Sequence, residues 1–268
     1  SVPHQPYACL RTTEPILING DLTKPIWQKA PWSPRFVDMV TGDPGYFDTR
    51  AAALWDDQNL YIAYRIEEPF VEAALTERDS LIFNENDVEV FIDGGDCYYE
   101  FEINALGTVY EVFFIWQDAM SRFDVPEFDP RQRKAVTFGG DYDRQAPTFW
   151  RGTHPRGLRW AFLDWDLPGL QSAVQVDGRI NDRASVDRGW TVEIAFPWAG
   201  LKPLANGRPI PPSEGDIWRL FFGRFEKLAF GGKELQPHPA WVWSPHGIYD
   251  THQPDRWTPI QFSTREVE

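Results

Sequence analysis

The chain is short of what would mark a membrane-spanning, redox or nucleic-acid-binding protein. No apolar run in its 268 residues approaches the roughly 18 that a bilayer-crossing helix needs, so no transmembrane segment is expected. Basic residues are outnumbered: 26 Lys and Arg against 40 Asp and Glu leave a net charge of −14. Nucleic acid is excluded as an expected partner, because phosphate binding rests on Lys and Arg. The two cysteines, Cys9 and Cys97, lack CxxC spacing, which disfavours a zinc or thiol-redox centre. A disulfide between them and two unpaired thiols both stay open, since spacing does not decide pairing. The five histidines, at 4, 154, 238, 246 and 252, show no HExxH spacing, and no GxSxG elbow, phosphate loop or dinucleotide fingerprint occurs. No secretory leader is visible, which is compatible with a start after a removed one. Long amphipathic helices are missing as well.

What is there is alternation. Asp87–Asp93 places Val88, Val90 and Ile92 on one face and Asp87, Glu89, Phe91 and Asp93 on the other. Tyr98–Asn104 repeats this, with Tyr99, Phe101 and Ile103 opposite Tyr98, Glu100, Glu102 and Asn104. Side chains alternate across a strand, so these two runs, joined at Gly94-Gly95, predict a hairpin. Residues 33–50 are expected to hold an edge strand and then a loop carrying Gly42, Pro44 and Gly45, and further strands are expected at 51–55, 60–66, 108–116, 172–180, 189–198, 217–226 and 258–263. In the strand at 189–198, Trp190, Val192, Ile194, Phe196 and Trp198 share one face. Pro25-Ile26-Trp27 begins a short helical piece, and a helical turn is a candidate at 71–75. Residues 1–15 read as an irregular lead-in and 117–169 as a long, ordered, Trp- and Pro-rich loop. The fold class is therefore all-β: an antiparallel two-sheet sandwich with a long loop insertion, expected as one domain over residues 1–268.

The hairpin's wet face carries the first functional signal. Glu89, Glu100 and Glu102, with Glu193 if its strand is a neighbour, concentrate carboxylates that repel unless cations or ligand hydroxyls meet them. Arg219 and Arg224 are the candidate neutralising partners. Aromatic content is 15 %, with 13 Trp, more than a core of this size needs, and spare rings suit stacking on flat apolar ligand faces. Trp27, Trp55, Trp190 and Trp198 read as core, and most of Trp241, Trp243 and Trp257 as packed. Trp150, Trp160 and Trp165 stand in irregular sequence, where function and packing weigh equally. The acidic turns at Asp56-Asp57 and Asp93–Asp96 are weak calcium candidates, because Asx residues favour turns for backbone reasons alone.

Seven fragments then follow in a telling order: INGDLTKPIW, ALWDDQNLYIAYRIEEP, NDVEVFID, YYEFEINALGTVYEVFF, RGWTVEIAFPWAGL, GDIWRLFFGRFE and WVWSPHGIYDTHQPDRW. Together, over roughly residues 16–262, they resemble the family 9 carbohydrate-binding module, within the broader DOMON-like group of β-sandwiches. The resemblance implies a jelly-roll-like sandwich, export, sugar recognition on the concave side and often bound calcium. It places the sugar-bonding Glu at Glu89. On the neighbouring strand it puts Glu102, in FEIN, where a family member carries Arg. Arg224 is its polar candidate on the WRLFFGRFE strand. The family's two clamping Trp are replaced: Phe83 and Asn84 stand at one place, and Tyr249, Thr251 and His252 at the other. The group's haem-binding members need an axial Met–His pair; Met120 with His252 lacks supporting spacing, and Met39 is the only other Met.

The expected function is non-catalytic binding of an oligo- or polysaccharide by an exported protein. Glu89, Glu102, Asn104 and Arg224 would bond hydroxyls, and rings from Phe83, Trp150, Trp160, Trp165, Tyr249 and His252 would stack. No cofactor is required, and Ca2+ is the candidate. The alternative is a glycoside hydrolase or polysaccharide lyase using Glu89, Glu100, Glu102 and Glu193.

Overall fold

The computed structural model describes residues 5–139 and 154–268. Trp150 and His4 lie outside the described residues. The strands are β1 (Tyr7–Arg11), β2 (Val37–Asp38), β3 (Thr49–Trp55), β4 (Asn59–Glu67), β5 (Asp87–Asp93), β6 (Cys97–Ile103), β7 (Val109–Trp116) and β8 (Ala135–Phe138). They continue with β9 (Arg159–Phe162), β10 (Gln171–Asp177), β11 (Gly189–Pro197), β12 (Ile217–Phe225), β13 (Ala229–Phe230), β14 (Lys233–Glu234), β15 (Ala240–Val242) and β16 (Thr258–Glu266). One helix, α1 (Pro25–Lys29), starts on a proline whose missing N–H costs nothing in a first turn.

The main sheet runs β10-β11-β4-β3-β1-β16-β12-β5-β6-β7-β9-β8 and folds over at β1 into two layers. Phe101 on β6 packs edge-on against Phe196 on β11 at 5.4 Å. The Tyr64 hydroxyl on β4 donates to the Glu89 carbonyl on β5 at 2.6 Å. The inward faces predicted for β5, β6 and β11 meet in this core: Val88, Val90, Ile92, Tyr99, Phe101, Val192, Ile194 and Phe196 are all buried within it. Pairing is antiparallel throughout except at β1, which runs parallel to both β3 and β16. A strand bridging the two layers at their shared edge has no hairpin partner to fix its direction.

Several sequence expectations are corrected. The lead-in contains β1. No helical turn forms at 71–75; the turn in that connection is a 3-10 turn at Ile82–Asn84. The 33–50 stretch holds only the two residues of β2 before β3 begins. The 117–169 stretch is less a loop than a sheet extension, since β8 and β9 pair with each other and β9 with β7. Its strands are four residues each, too short to show a period between prolines. Cys9 and Cys97 are buried free thiols. Trp27, Trp55, Trp190, Trp198, Trp241 and Trp257 are buried, as expected.

Both outer faces carry apolar clusters. On the first layer, Leu54, Tyr61 and Ala63 are covered by the segment that includes Ile16, Leu22 and Trp27. On the second layer, Phe91, Tyr98, Phe114, Phe221 and Trp257 form a cluster of their own. That second outer face bears the site.

Candidate functional site

Strand register assembles the site. In β12-β5-β6-β7, Gly223 lies opposite Glu89, Glu89 opposite Glu102, and Glu102 opposite Tyr110. One row along, Phe221, Phe91, Glu100 and Val112 are aligned in the same way. Two glutamates thus face each other on adjacent strands, where side chains opposite one another are in direct contact range. Gly223 leaves room beside Glu89. A Cβ there would lie 2.8 Å from Cε1 of Phe221, whose ring occupies that space.

Above this row opens a pocket of about 590 Å³, within the size range of small-ligand sites. Its floor includes Glu89, Glu100, Glu102, Phe91 and Phe114. Phe83 and Tyr110 stand on the β7 side, edge to face at 5.7 Å. Phe225 and Tyr249 stand on the β12 side, edge to face at 6.1 Å. Four strands at about 4.8 Å spacing put these two aromatic walls roughly 14 Å apart at their strands. All four rings are partly exposed. The Tyr249 hydroxyl donates to the His238 carbonyl at 2.7 Å, which fixes the ring. Val136, Phe138 and Leu163 from the β8–β9 region close a third side. No Lys or Arg is among the described residues that line the pocket.

The floor is electrostatically unusual. Asp87, Glu89, Glu100 and Glu102 are each at most 4 % exposed. Burial raises all four carboxyls above the usual carboxylate range, and neighbouring carboxylates push Glu89 and Glu102 further still. Carboxyl–carboxyl hydrogen bonding holds Asp87 and Glu100 lower, at about 7. The cluster therefore keeps some protons at neutral pH and offers both donors and acceptors. His252 lies beside it, its Nε2 3.7 Å from Glu100 and its Nδ1 2.9 Å from the Tyr98 hydroxyl. Burial, then the charge of Arg159, lowers its pKa well below the ordinary value, so the ring is neutral.

The sequence-predicted residues divide into two groups. Glu89, Glu100, Glu102, Phe83, Tyr249 and His252 all line the pocket. Glu193 is elsewhere: it sits on β11, outside the first layer, and accepts from the Asn19 and Gly20 amides, Lys24 and the Trp27 indole at 2.7–3.0 Å. Arg224 pairs in register with the core residue Val88 and points between the layers, bonded to Glu226 and Thr49. Asn104 is buried in the turn after β6, donating to the Leu75 carbonyl and accepting from the Leu106 and Thr108 amides. Trp165 packs between Tyr99 and Phe113 and donates to Glu127. Trp160 packs against the main core. Arg219 is placed near the Trp257 carbonyl.

The weak metal candidates are engaged within the protein. Asp56 caps its own turn and accepts from Tyr61. Asp57 meets Arg11, Asp93 accepts from the Gly95 amide, and Asp96 pairs with Arg122 and Arg156. Met120 packs on the inter-layer core, away from His252 on the outer face. Sequence reading missed Tyr110, Phe225 and Asp87 as site residues. Strand parity puts Tyr110 on the face of Phe114, and Asp87 on the face of Glu89, but only the register shows that they meet.

This is the architecture of a jelly-roll-like β-sandwich with a pocket on one outer sheet face. Within that class, residues 18–113 match the family described as carbohydrate family 9 binding domain-like. Solved structures extend the fold likeness to nearly the whole chain. A Bacteroides uniformis protein, described as a candidate carbohydrate-binding protein, superposes with a TM-score of 0.57 at 14 % identity, covering 96 % of this chain and 100 % of its own. A family 9 carbohydrate-binding module from Caldicellulosiruptor kristjanssonii, in complex with cellotriose, gives a TM-score of 0.56 at 13 % identity, over 96 % and 94 % of the two chains. Its glucose complex gives 0.55 at 12 % identity, over 97 % and 98 %. No curated protein sequence matches the chain.

Proposed function

We propose that the pocket binds a neutral oligo- or polysaccharide without cleaving it. The observation that carries this reading is the Glu89–Glu102 pair lying between two partly exposed aromatic walls. Sugars present apolar C–H faces to rings and hydroxyl edges to carboxyls, and this pocket offers both. Partly protonated carboxyls suit hydroxyls, which need a donor and an acceptor at each oxygen. Phe83 with Tyr110, and Phe225 with Tyr249, take the part that two indoles take in the family's clamp. The family match and the sugar complexes of the fold relatives support the same reading. Because polysaccharide is met outside the cell, the reading carries with it an exported protein that acts as one unit.

A second reading rests on the raised carboxyls. Oxygens of Glu89 and Glu102 lie within 4.8 Å of each other, inside the ~5–5.5 Å carboxyl separation of retaining glycosidases. One experiment separates the two: incubate the protein with a glycan panel, recording both binding and new reducing or unsaturated ends. Retention without product supports the binding module. Turnover that is lost in Glu89→Gln and Glu102→Gln overturns it in favour of the hydrolase or lyase. No retention of any glycan overturns both.

A further inference from the structure

Asp87 has no role in the proposed sugar contacts, yet it is fully buried and meets no N–H or hydroxyl donor in hydrogen-bonding geometry, its hydrogen-bonding neighbours being the carboxyls of Glu89 and Glu102. One oxygen of Glu89 and one of Glu102 are also buried without a donor from outside the cluster. The three residues each bring an oxygen within 4.8 Å of the others. Buried carboxyls that have only one another as partners are costly once ionised and call for a cation. The nearest guanidinium on the same strands, Arg224, faces the opposite side and is committed to Glu226.

We propose that Asp87, Glu89 and Glu102 bind a hard divalent cation, calcium by chemistry, beneath the floor of the pocket. The donor set is oxygen only, which suits calcium and disfavours zinc. Calcium takes about six to eight oxygens at roughly 2.3–2.6 Å, so opposite ligands sit about 4.6–5.2 Å apart, and the three residues each bring at least one oxygen to that shell. An organic ammonium is the competing occupant and fits less well. Entering from the pocket on a carbon skeleton, it meets Glu89 and Glu102, which line the pocket, but not Asp87, which does not. The orphaned oxygens are the buried ones, reached by a bare ion. The site differs from the acidic turns at Asp56 and Asp93, whose carboxylates have partners within the protein. If the carbohydrate reading holds, the ion's pocket-facing positions would take vicinal hydroxyls, making sugar affinity calcium-dependent.

The test is a calorimetric titration of calcium chloride into the chelator-treated full chain without sugar, repeated on Asp87→Asn. The expected result is one calcium per chain, weakened about 100-fold in the variant, because affinity follows ligand charge count. Asp87→Asn removes one of three crowded charges and is expected to fold with a Tm at or above that of the metal-free wild type. Absence of calcium uptake by the wild type overturns the proposal, as does uptake that Asp87→Asn leaves unchanged. Displacement of sugar by methylamine, with no calcium uptake, identifies the ammonium instead. Calcium uptake with no glycan binding leaves the ion site standing and sinks only the sugar reading.

Discussion

Replacing Arg224 with alanine should destabilise the sandwich while leaving the pocket's ligand binding in place. The guanidinium is about 1 % exposed. It donates to Glu226 from Nη2 at 2.7 Å and from Nε at 3.1 Å, and to Thr49 from Nη1 at 2.9 Å. The rings of Trp241 and Phe47 lie 5.0 and 5.6 Å from its Cζ. Glu68 is within ion-pair distance at 3.4 Å, yet burial pushes its carboxyl up to about 9, so it keeps its proton at neutral pH. The single positive charge is therefore set against Glu226. Removing it strands a buried carboxylate, which costs about 3–5 kcal/mol, and no solvent screening reduces that figure at this depth. Unfolding entropy of about 2.1 cal/mol/K per residue gives roughly 0.6 kcal/mol/K for this chain. The expected fall in Tm is about 5–8 °C. Arg224→Lys should recover part of the loss, since an ammonium cannot reproduce the two-pronged contact. Scanning calorimetry and glycan titration of the same samples check both halves. A variant with wild-type Tm and abolished binding would refute the core assignment and return Arg224 to the site.

Two further outcomes follow from buried groups away from the pocket. Glu193→Ala leaves Lys24, the Trp27 indole and two amides without their acceptor, at a cost of about 3 kcal/mol; hydrogen exchange should show the Asn19 and Gly20 amides losing protection, with glycan affinity unchanged. His246 is buried with Nδ1 2.7 Å from the Asp250 carbonyl and Nε2 unpartnered, and burial lowers its pKa from 6.5 to about 4. The unfolded chain takes up this proton first, so the neutral ring's stability is present above pH 6.5 and is lost as pH falls toward 4, by up to ~1.4 kcal/mol per pH unit. Urea melts of His246→Phe across that window should show a slope shallower by up to one proton; identical slopes would show that His246 titrates normally when folded.

Much of the fold was legible because alternation reports strands directly. Val88, Val90 and Ile92 face the core as their spacing predicts, and Glu89, Glu100 and Glu102 share the opposite face. Parity was also available for Arg224: Trp218, Leu220 and Phe222 are inward, so a residue two further on is inward too. The family expectation overrode that signal. Glu193 could not be placed without topology. It does alternate outward, but from β11, which pairs with β10 and β4 rather than β5. Tyr110 and Phe225 were hidden for a related reason. Each sits at a strand end, and only the register across four strands sets them on either side of the carboxylates. For Trp160 and Trp165, irregular sequence left function and packing equally open, because it carries no period from which burial can be read. Trp165 follows β9 in a connection whose surroundings bury it.

The most direct measurement is a calorimetric titration of cellotriose into the wild-type chain and into Phe83→Ala/Tyr249→Ala, at fixed calcium. One ring is removed from each wall, the floor is untouched, and stacking losses of about tenfold per ring are expected. The account predicts one site in the wild type and affinity reduced about 100-fold in the double variant. Binding of equal strength in both proteins would contradict it, and would move the carbohydrate site off this face.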